Sequence, residues 1–267
     1  MLPFVKLVAA GNSYLAVDGR AEPRDWPRLA RAMGKAHFGV GSDGLLVAVP
    51  SERVPIGLRI WNSDGSEAEM SGNGVRLFAK FALESGLAKP APDGLAIETK
   101  AGLRTVWPEL AGGRMVSGRV AMGAPADVEP ARLELGERVL SVTCLSLGNP
   151  HAVHLTETPV DDLPLAELGL ALEHPPRFPN RTNFEVVNVL ARGRLRVRVF
   201  ERGEGETQSS GTGSTASVVA ARLAGRVDAA VTVELPGGAL RVRFEGAGAP
   251  AFLEGPTGEV FRGVWPG

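Results

Sequence analysis

Apolar residues fall in two rhythms along this chain. LRIWN and RVRVFE are short runs rich in β-branched and aromatic residues, as half-buried strands are. LRTVW and ALRVRFEG alternate apolar with polar positions, which gives a strand one dry face and one wet face. MLPFVKLVAAG reads as a first strand, and LSVTCLSLG as another apolar strand. Other runs have helical spacing. WPRLARAMG is helix-like, and VRLFAKFALESG spaces its apolar residues helically and stops at Gly86, as helices commonly do. STASVVAARLAG is apolar on nearly every face and predicts a helix buried all round.

The pattern occurs twice. Arg59–Gly74, RIWNSDGSEAEMSGNG, lies over Arg198–Gly213, RVFERGEGETQSSGTG, without a gap. Arg59 matches Arg198, Trp61 matches Phe200, Asn62 matches Glu201, Glu67 matches Glu206 and Ser71 matches Ser210. The stopping glycines Gly86 and Gly225 stay in register. Upstream, Gly11-Asn12 answers Gly148-Asn149; downstream, ETKAGLRTV answers ELPGGALRV. Matches repeated in one order indicate an internal duplication. They predict an α/β (more narrowly α+β) chain of two pseudo-symmetric domains, each a mainly antiparallel, barrel-like sheet around a central helix. The domains are expected at residues 1–112 and 113–255, parting near Gly112-Gly113, with the segment of about 256–267 free to return to the first.

Each copy places a serine before Gly-x-Gly at a helix start. A helix N-terminus offers unpaired N–H groups and partial positive charge, and flanking glycines let a ligand approach the backbone. Such an end suits a carboxylate or phosphate. A pseudo-twofold would aim both ends at one ligand between the domains, with Asn12, Asn62, Asn149 and Glu201 at nearby strand ends. Ser71 and Ser210 would then flank one carbon, the geometry for removing a proton from one face and returning one to the other. For either serine alone the plainer role is an N-cap; the matched pair favours chemistry.

Two motifs lead elsewhere and are set aside. Gly39–Gly44, GVGSDG, fits G-x-G-x-x-G, with Asp64 at the distance of a ribose-binding acid, but a helix-like run precedes it and the strand-like LLVAV follows. A dinucleotide site needs the reverse order, so this is a turn. His151 and His154 sit three apart in a strand-like run and face opposite ways, and no metal site is expected.

Composition narrows the class. The 267-residue chain has a formal net charge of −1 and no basic tract, which argues against nucleic acid and polybasic membrane binding. No apolar stretch is long enough to span a bilayer, and the N-terminus lacks the basic start of a secretion signal. The lone cysteine, Cys144, is expected to be a small buried hydrophobe and excludes an internal disulfide. A cytoplasmic protein with a small-molecule substrate is expected; a homodimer is left open.

Taken together, the chain resembles diaminopimelate epimerase, within the cofactor-independent amino-acid racemase and epimerase superfamily. The resemblance covers almost the whole chain. It rests on Gly11-Asn12, HFGVGSDGLL from His37, WNSDGSEAEMSGNG from Trp61, GNPHAV from Gly148, RTN ending at Asn183, ERGEGET from Glu201, SGTG from Ser210 and PGG from Pro236. It implies two barrel-like α/β domains and epimerisation at an amino-acid α-carbon, LL- to meso-diaminopimelate, without metal or pyridoxal phosphate. Asn12, Asn62, Gly72, Asn73, Asn149, Asn183, Glu201, Arg202, Gly211 and Thr212 match positions that hold the amino acid. His151 and Glu201 match residues that tune the acid and base, and Ser71 and Ser210 fall on the two catalytic positions.

The family carries cysteine at both of those positions. A thiol ionises near pH ~8.5, and lower at a helix start, whereas a hydroxyl needs an adjacent base. Gly44 also departs, since relatives often carry a substrate-contacting side chain such as Gln there. These departures leave three readings: an epimerase whose cysteines were replaced; a naturally divergent isomerase or lyase on a small amino or hydroxy acid; and a non-catalytic amino-acid binder. Glu201 is the best remaining base, and its counterpart Asn62 makes the pair asymmetric.

Overall fold

In the computed structural model, residues 1–135, 138–173, 178–179 and 181–267 are described. The chain divides into two compact units, Met1–Ala121 with Glu254–Gly267, and Met122–Leu253.

The first unit runs β1 (Leu2–Ala9), β2 (Asn12–Asp18), α1 (Trp26–Gly34), β3 (Gly44–Val49), β4 (Ile56–Asn62), β5 (Glu67–Ala68), α2 (Gly72–Glu84), β6 (Leu95–Thr99), β7 (Gly102–Ala111) and β8 (Arg114–Gly123). Strand β1 pairs antiparallel with β2, β2 parallel with β3, β3 antiparallel with β4, β4 parallel with β6, and β6 to β8 run on antiparallel. Each parallel pair is bridged by a helix, α1 and then α2, as parallel strands require.

The second unit repeats that plan. It runs β9 (Ala126–Leu135), β10 (Arg138–Ser146), β11 (Pro150–Leu155), α3 (Leu165–Glu173), β12 (Asn183–Ala191), β13 (Arg194–Glu201), β14 (Gly205–Thr207), α4 (Gly211–Leu223), β15 (Ala230–Leu235), β16 (Gly238–Phe244) and β17 (Ala251–Pro256). Its pairings are β10–β11 antiparallel, β11–β12 parallel, β12–β13 antiparallel, β13–β15 parallel and β15–β16 antiparallel. The last strand, β18 (Gly258–Trp265), lies antiparallel on β1, and β9 lies antiparallel on β10. The duplication is therefore one of topology as well as wording. Its matched ions agree: Arg59 pairs with Glu67, and Arg198 pairs with Glu206 at 2.8 Å.

Both faces of each sheet are covered, which explains the near-continuous burial of Tyr14–Val17 and Leu45–Ala48. On one face of the first sheet, Trp26, Ala30 and Met33 of α1 pack on Leu15, Val17, Leu45, Val47 and Trp61. On the second, Leu165, Leu168 and Leu172 of α3 pack on Val142, Cys144, Ala152, Phe184 and Phe200. The chain patterning predicts the central helices but not α3, whose LAELGLALE lacks a polar stripe. Helices α2 and α4 are buried almost throughout. For α4 that matches its apolar sequence. For α2 it means that Arg76 and Lys80 are buried too, against the amphipathic spacing of VRLFAKFALESG.

Candidate active site

Both serines cap their helices. Ser71 Oγ accepts from Gly74 N–H at 3.0 Å, and Ser210 Oγ accepts from Gly213 N–H at 3.1 Å, each serine having extended backbone. Gly74 and Gly213 keep these caps close. A Cβ at Gly74 would sit 3.0 Å from the Ser71 Cβ and 3.3 Å from Leu46, and one at Gly213 would sit 2.9 Å from the Glu185 carboxylate.

At the start of α2 the first unit gathers Asn12, Tyr14, Ser71, Asn73 and Arg76. The Tyr14 hydroxyl donates to Ser71 Oγ at 3.3 Å. Arg76 donates to Gly72 O at 3.1 Å and to Asn73 Oδ1 at 2.6 Å, Asn73 Nδ2 donates to Asn12 Oδ1 at 2.5 Å, and Asn12 Nδ2 donates to Asp43 at 3.3 Å. This chain of bonds holds both asparagines. Burial lowers the Arg76 guanidinium to a pKa of about 10, and its Nε lies buried without a partner. Asn62 donates to Ser66 Oγ at 3.0 Å within the β4–β5 turn. Gly44 pairs with Asn62, and a Cβ there would meet the Trp61 carbonyl at 2.4 Å, so no side chain fits that position.

At the start of α4 the second unit gathers Asn149, His151, Asn183, Glu185, Glu201, Ser210 and Thr212. Ser210 Oγ donates to Glu201 Oε2 at 3.1 Å, and Thr207 donates to the other oxygen at 2.7 Å. Burial pushes the Glu201 carboxyl above the usual carboxylate range; the bonds from Thr207 and Ser210 pull the other way. Glu185 is fully buried, is likewise raised by burial, and meets His151 Nδ1 at 2.7 Å. Its second oxygen has no partner. His151 Nε2 faces Asn149 Oδ1 at 3.0 Å, while Asn149 Nδ2 reaches Thr212 Oγ1 at 3.4 Å. His151 thus bridges Glu185 and Asn149, one ring nitrogen to each. Asn183 is occupied by backbone, donating to Pro150 O at 3.0 Å and accepting from Arg202 N–H at 2.9 Å.

Sequence reasoning missed Tyr14, Glu185 and Arg76. Extending the repeat by two residues past Gly-Asn would have paired Tyr14 with His151. A carboxylate inside the apolar NFEVVNV, on the same strand face as Asn183, marked Glu185. A cation inside VRLFAKF marked Arg76. Among the described residues no group of three or more His, Cys, Asp or Glu side chains is arranged to hold a metal.

Two like units, each with a hydroxyl-capped central helix, define the class of fold. It is shared with a probable proline racemase from Agrobacterium radiobacter (TM-score 0.76, 16% identity, 99% of this chain and 93% of that one). It is shared also with a hydroxyproline epimerase from Agrobacterium vitis (TM-score 0.75, 17% identity, 98% and 91%). The sequence narrows this further. The family model for diaminopimelate epimerase matches residues 4–127 and 143–260. The diaminopimelate epimerase of Moorella thermoacetica is 41% identical over 98% of this chain and 99% of its own, and that of Pelotomaculum thermopropionicum is 40% identical over 98% of each. The chain belongs to the diaminopimelate epimerase family.

Proposed function

We propose that this protein epimerises diaminopimelate, interconverting the LL and meso forms by removing the α-proton on one face and returning a proton on the other. The observation that carries this reading is the contact of Ser210 Oγ with the half-buried Glu201 carboxylate, at a glycine-lined helix start with a matched twin at Ser71. A hydroxyl becomes a useful base when a neighbour takes its proton. Glu201 is that neighbour, and its burial brings its proton affinity toward the working pH, where general bases act best.

Gly72 and Gly211 open the helix starts to the substrate's polar groups, and Asn12, Asn62, Asn73, Asn149, Asn183, Arg202 and Thr212 are the residues assigned to hold or frame it. His151 sits behind Asn149 and tunes the charge around Glu201. Ser71 and Ser210 act on opposite faces of one α-carbon, without metal or pyridoxal phosphate, and the reaction runs in the cytoplasm. The test is incubation with LL-diaminopimelate in D₂O, followed by chiral separation and mass spectrometry. Appearance of the meso form with deuterium at the inverted carbon is expected. Tight calorimetric binding with neither exchange nor inversion would overturn the reading in favour of a binder, and an unsaturated product would overturn it in favour of a lyase.

A further inference from the structure

We infer that Tyr14 is the proton reservoir of Ser71, so that the two serines have opposite resting roles, Ser71 as acid and Ser210 as base. This rests on the epimerase reading and assigns direction within it. A serine hydroxyl has one proton to donate and two lone pairs that accept. At Ser71 both lone pairs are engaged, one by Gly74 N–H at 3.0 Å and one by the Tyr14 hydroxyl at 3.3 Å. The serine's own proton is left to point toward a third partner. At Ser210 one lone pair is engaged by Gly213 N–H at 3.1 Å, and the proton is given to Glu201 at 3.1 Å, which leaves a lone pair to receive. The arrangement thus points a hydrogen from one helix start and a lone pair from the other.

Tyr14 occupies the position in its half that His151 occupies in the other, two residues after the Gly-Asn pair. Its side chain is buried, at 7% exposure, so its hydroxyl is held at Ser71 rather than free in solvent. In the forward step, Ser210 Oγ takes the α-proton as its own proton passes to Glu201. The α-carbon then takes the proton of Ser71, and Ser71 takes the proton of Tyr14. The α C–H bond on one face breaks and another forms on the opposite face. Glu201 ends as the acid and Tyr14 as the phenolate, and proton exchange with water resets both. Tyr14 acts through Ser71 and is a positioning and relay residue.

The experiment measures α-deuterium exchange in D₂O separately for substrate whose α-proton faces Ser210 and for its epimer, together with epimerisation. Tyr14→Phe should lower epimerisation about 100-fold, the usual size of a lost acid–base group. It should leave exchange from the Ser210-facing form in place and abolish exchange from the other. Equal loss from both forms, or unchanged epimerisation, overturns the inference. Tyr14 is the chain's single tyrosine, so growth on 3-fluorotyrosine alters this one phenol with little change in shape. The alkaline limb of the epimerisation pH profile should then move to lower pH; a limb that stays put also overturns it. A wild-type chain that neither exchanges nor epimerises would instead remove the underlying epimerase reading.

Discussion

At the start of α2 the Ser71 hydroxyl meets a phenol, while a leucine lies against Gly74 and a buried guanidinium holds Gly72 and Asn73. At the start of α4 the equivalent Ser210 hydroxyl meets the half-buried Glu201 carboxyl, and the buried Glu185–His151 pair lies on the strands beside that helix start. The backbones repeat, strand for strand and cap for cap, yet Asn62 faces Glu201 in the alignment, Leu46 faces Glu185, and Tyr14 faces His151. Duplication supplied two equal helix ends, and substitution on the strands beside them made one half rich in carboxylate and the other in donors. The difference shows how a near-symmetric scaffold acquires direction. On the proposed reading the helix ends bind alike, while the strand residues decide which end takes a proton and which gives one.

Removing the base should erase that difference most strongly. Glu201→Gln is expected to lower epimerisation by about 1000-fold, since general-base catalysis contributes roughly 10²–10⁴-fold. In the wild type the rate should rise with pH through a midpoint above the usual carboxylate range, because Glu201 must be ionised and burial raises it. The variant should lose that limb; a limb that persists would assign the base elsewhere. Cysteine substitution tests the comparison in reverse. Ser71→Cys combined with Ser210→Cys should raise α-exchange by roughly 100-fold, as a thiolate forms readily at a helix start and a hydroxyl does not. Of the single variants, Ser71→Cys should gain more, because Ser210 already has a carboxylate beside it. Exchange assays on the three variants check both the rise and the ranking. A folded but inert double variant would remove the serines from the chemistry.

Much of this was legible in the residues, and the reasons are local. The gap-free match of Arg59–Gly74 with Arg198–Gly213 carried the duplication, because strand, turn and helix start are each set by short-range patterns. Ser71 and Ser210 were readable as helix starts from Ser-Gly-x-Gly, and Gly86 and Gly225 as helix stops. Three things were not readable. The pairing order, with its parallel β2–β3 and β4–β6 contacts, depends on crossovers that no short pattern encodes. The burial of Arg76 and Lys80 contradicts helical amphipathicity; Lys80 is tolerated through its i+4 neighbour Glu84 at 2.6 Å, which the sequence does carry, and through the Met115 carbonyl at 2.7 Å, which no local pattern announces. The hydrogen bonds that orient Asn62 and Asn183, to a turn hydroxyl and to backbone, depend on tertiary placement that no local pattern announces.

The glycines below the two caps give a smaller contrast. An added methyl at Gly74 meets Leu46, which can yield by rotating. At Gly213 it lands 2.9 Å from Glu185, a buried carboxyl pinned by His151. Alanine gains up to ~1 kcal/mol of helix propensity at either place, and overpacking costs ~1–3 kcal/mol. Gly213→Ala should therefore be less stable than Gly74→Ala by about 2 kcal/mol. Paired urea unfolding curves measure this directly; equal stabilities would mean that the carboxyl is as free to move as the leucine.

The smallest effect concerns why a cation lies beneath α2 at all. Arg76 donates to Gly72 O and Asn73 Oδ1, and in α4 the same carbonyl position is met by a neutral group, with Thr215 Oγ1 2.8 Å from Gly211 O. A buried guanidinium contributes little net stability when desolvation offsets its bonds, so Arg76→Met should change unfolding free energy by no more than about 1 kcal/mol. Its worth is electrostatic, adding fixed charge to a helix start already favourable to anions. The Michaelis constant should then rise about 10-fold in Arg76→Met, equivalent to ~1.4 kcal/mol, with kcat little changed, while Thr215→Val should leave it unaltered. The folded-state pKa of about 10 lies below that of the unfolded chain, so the burial cost is full under pH 10 and eases as pH rises through that value. Above it the wild type should lose affinity while Arg76→Met, with no charge to lose, stays flat. Steady-state kinetics on both variants from neutral to alkaline pH measure this, and parallel curves would mean that Arg76 serves only to hold Asn73.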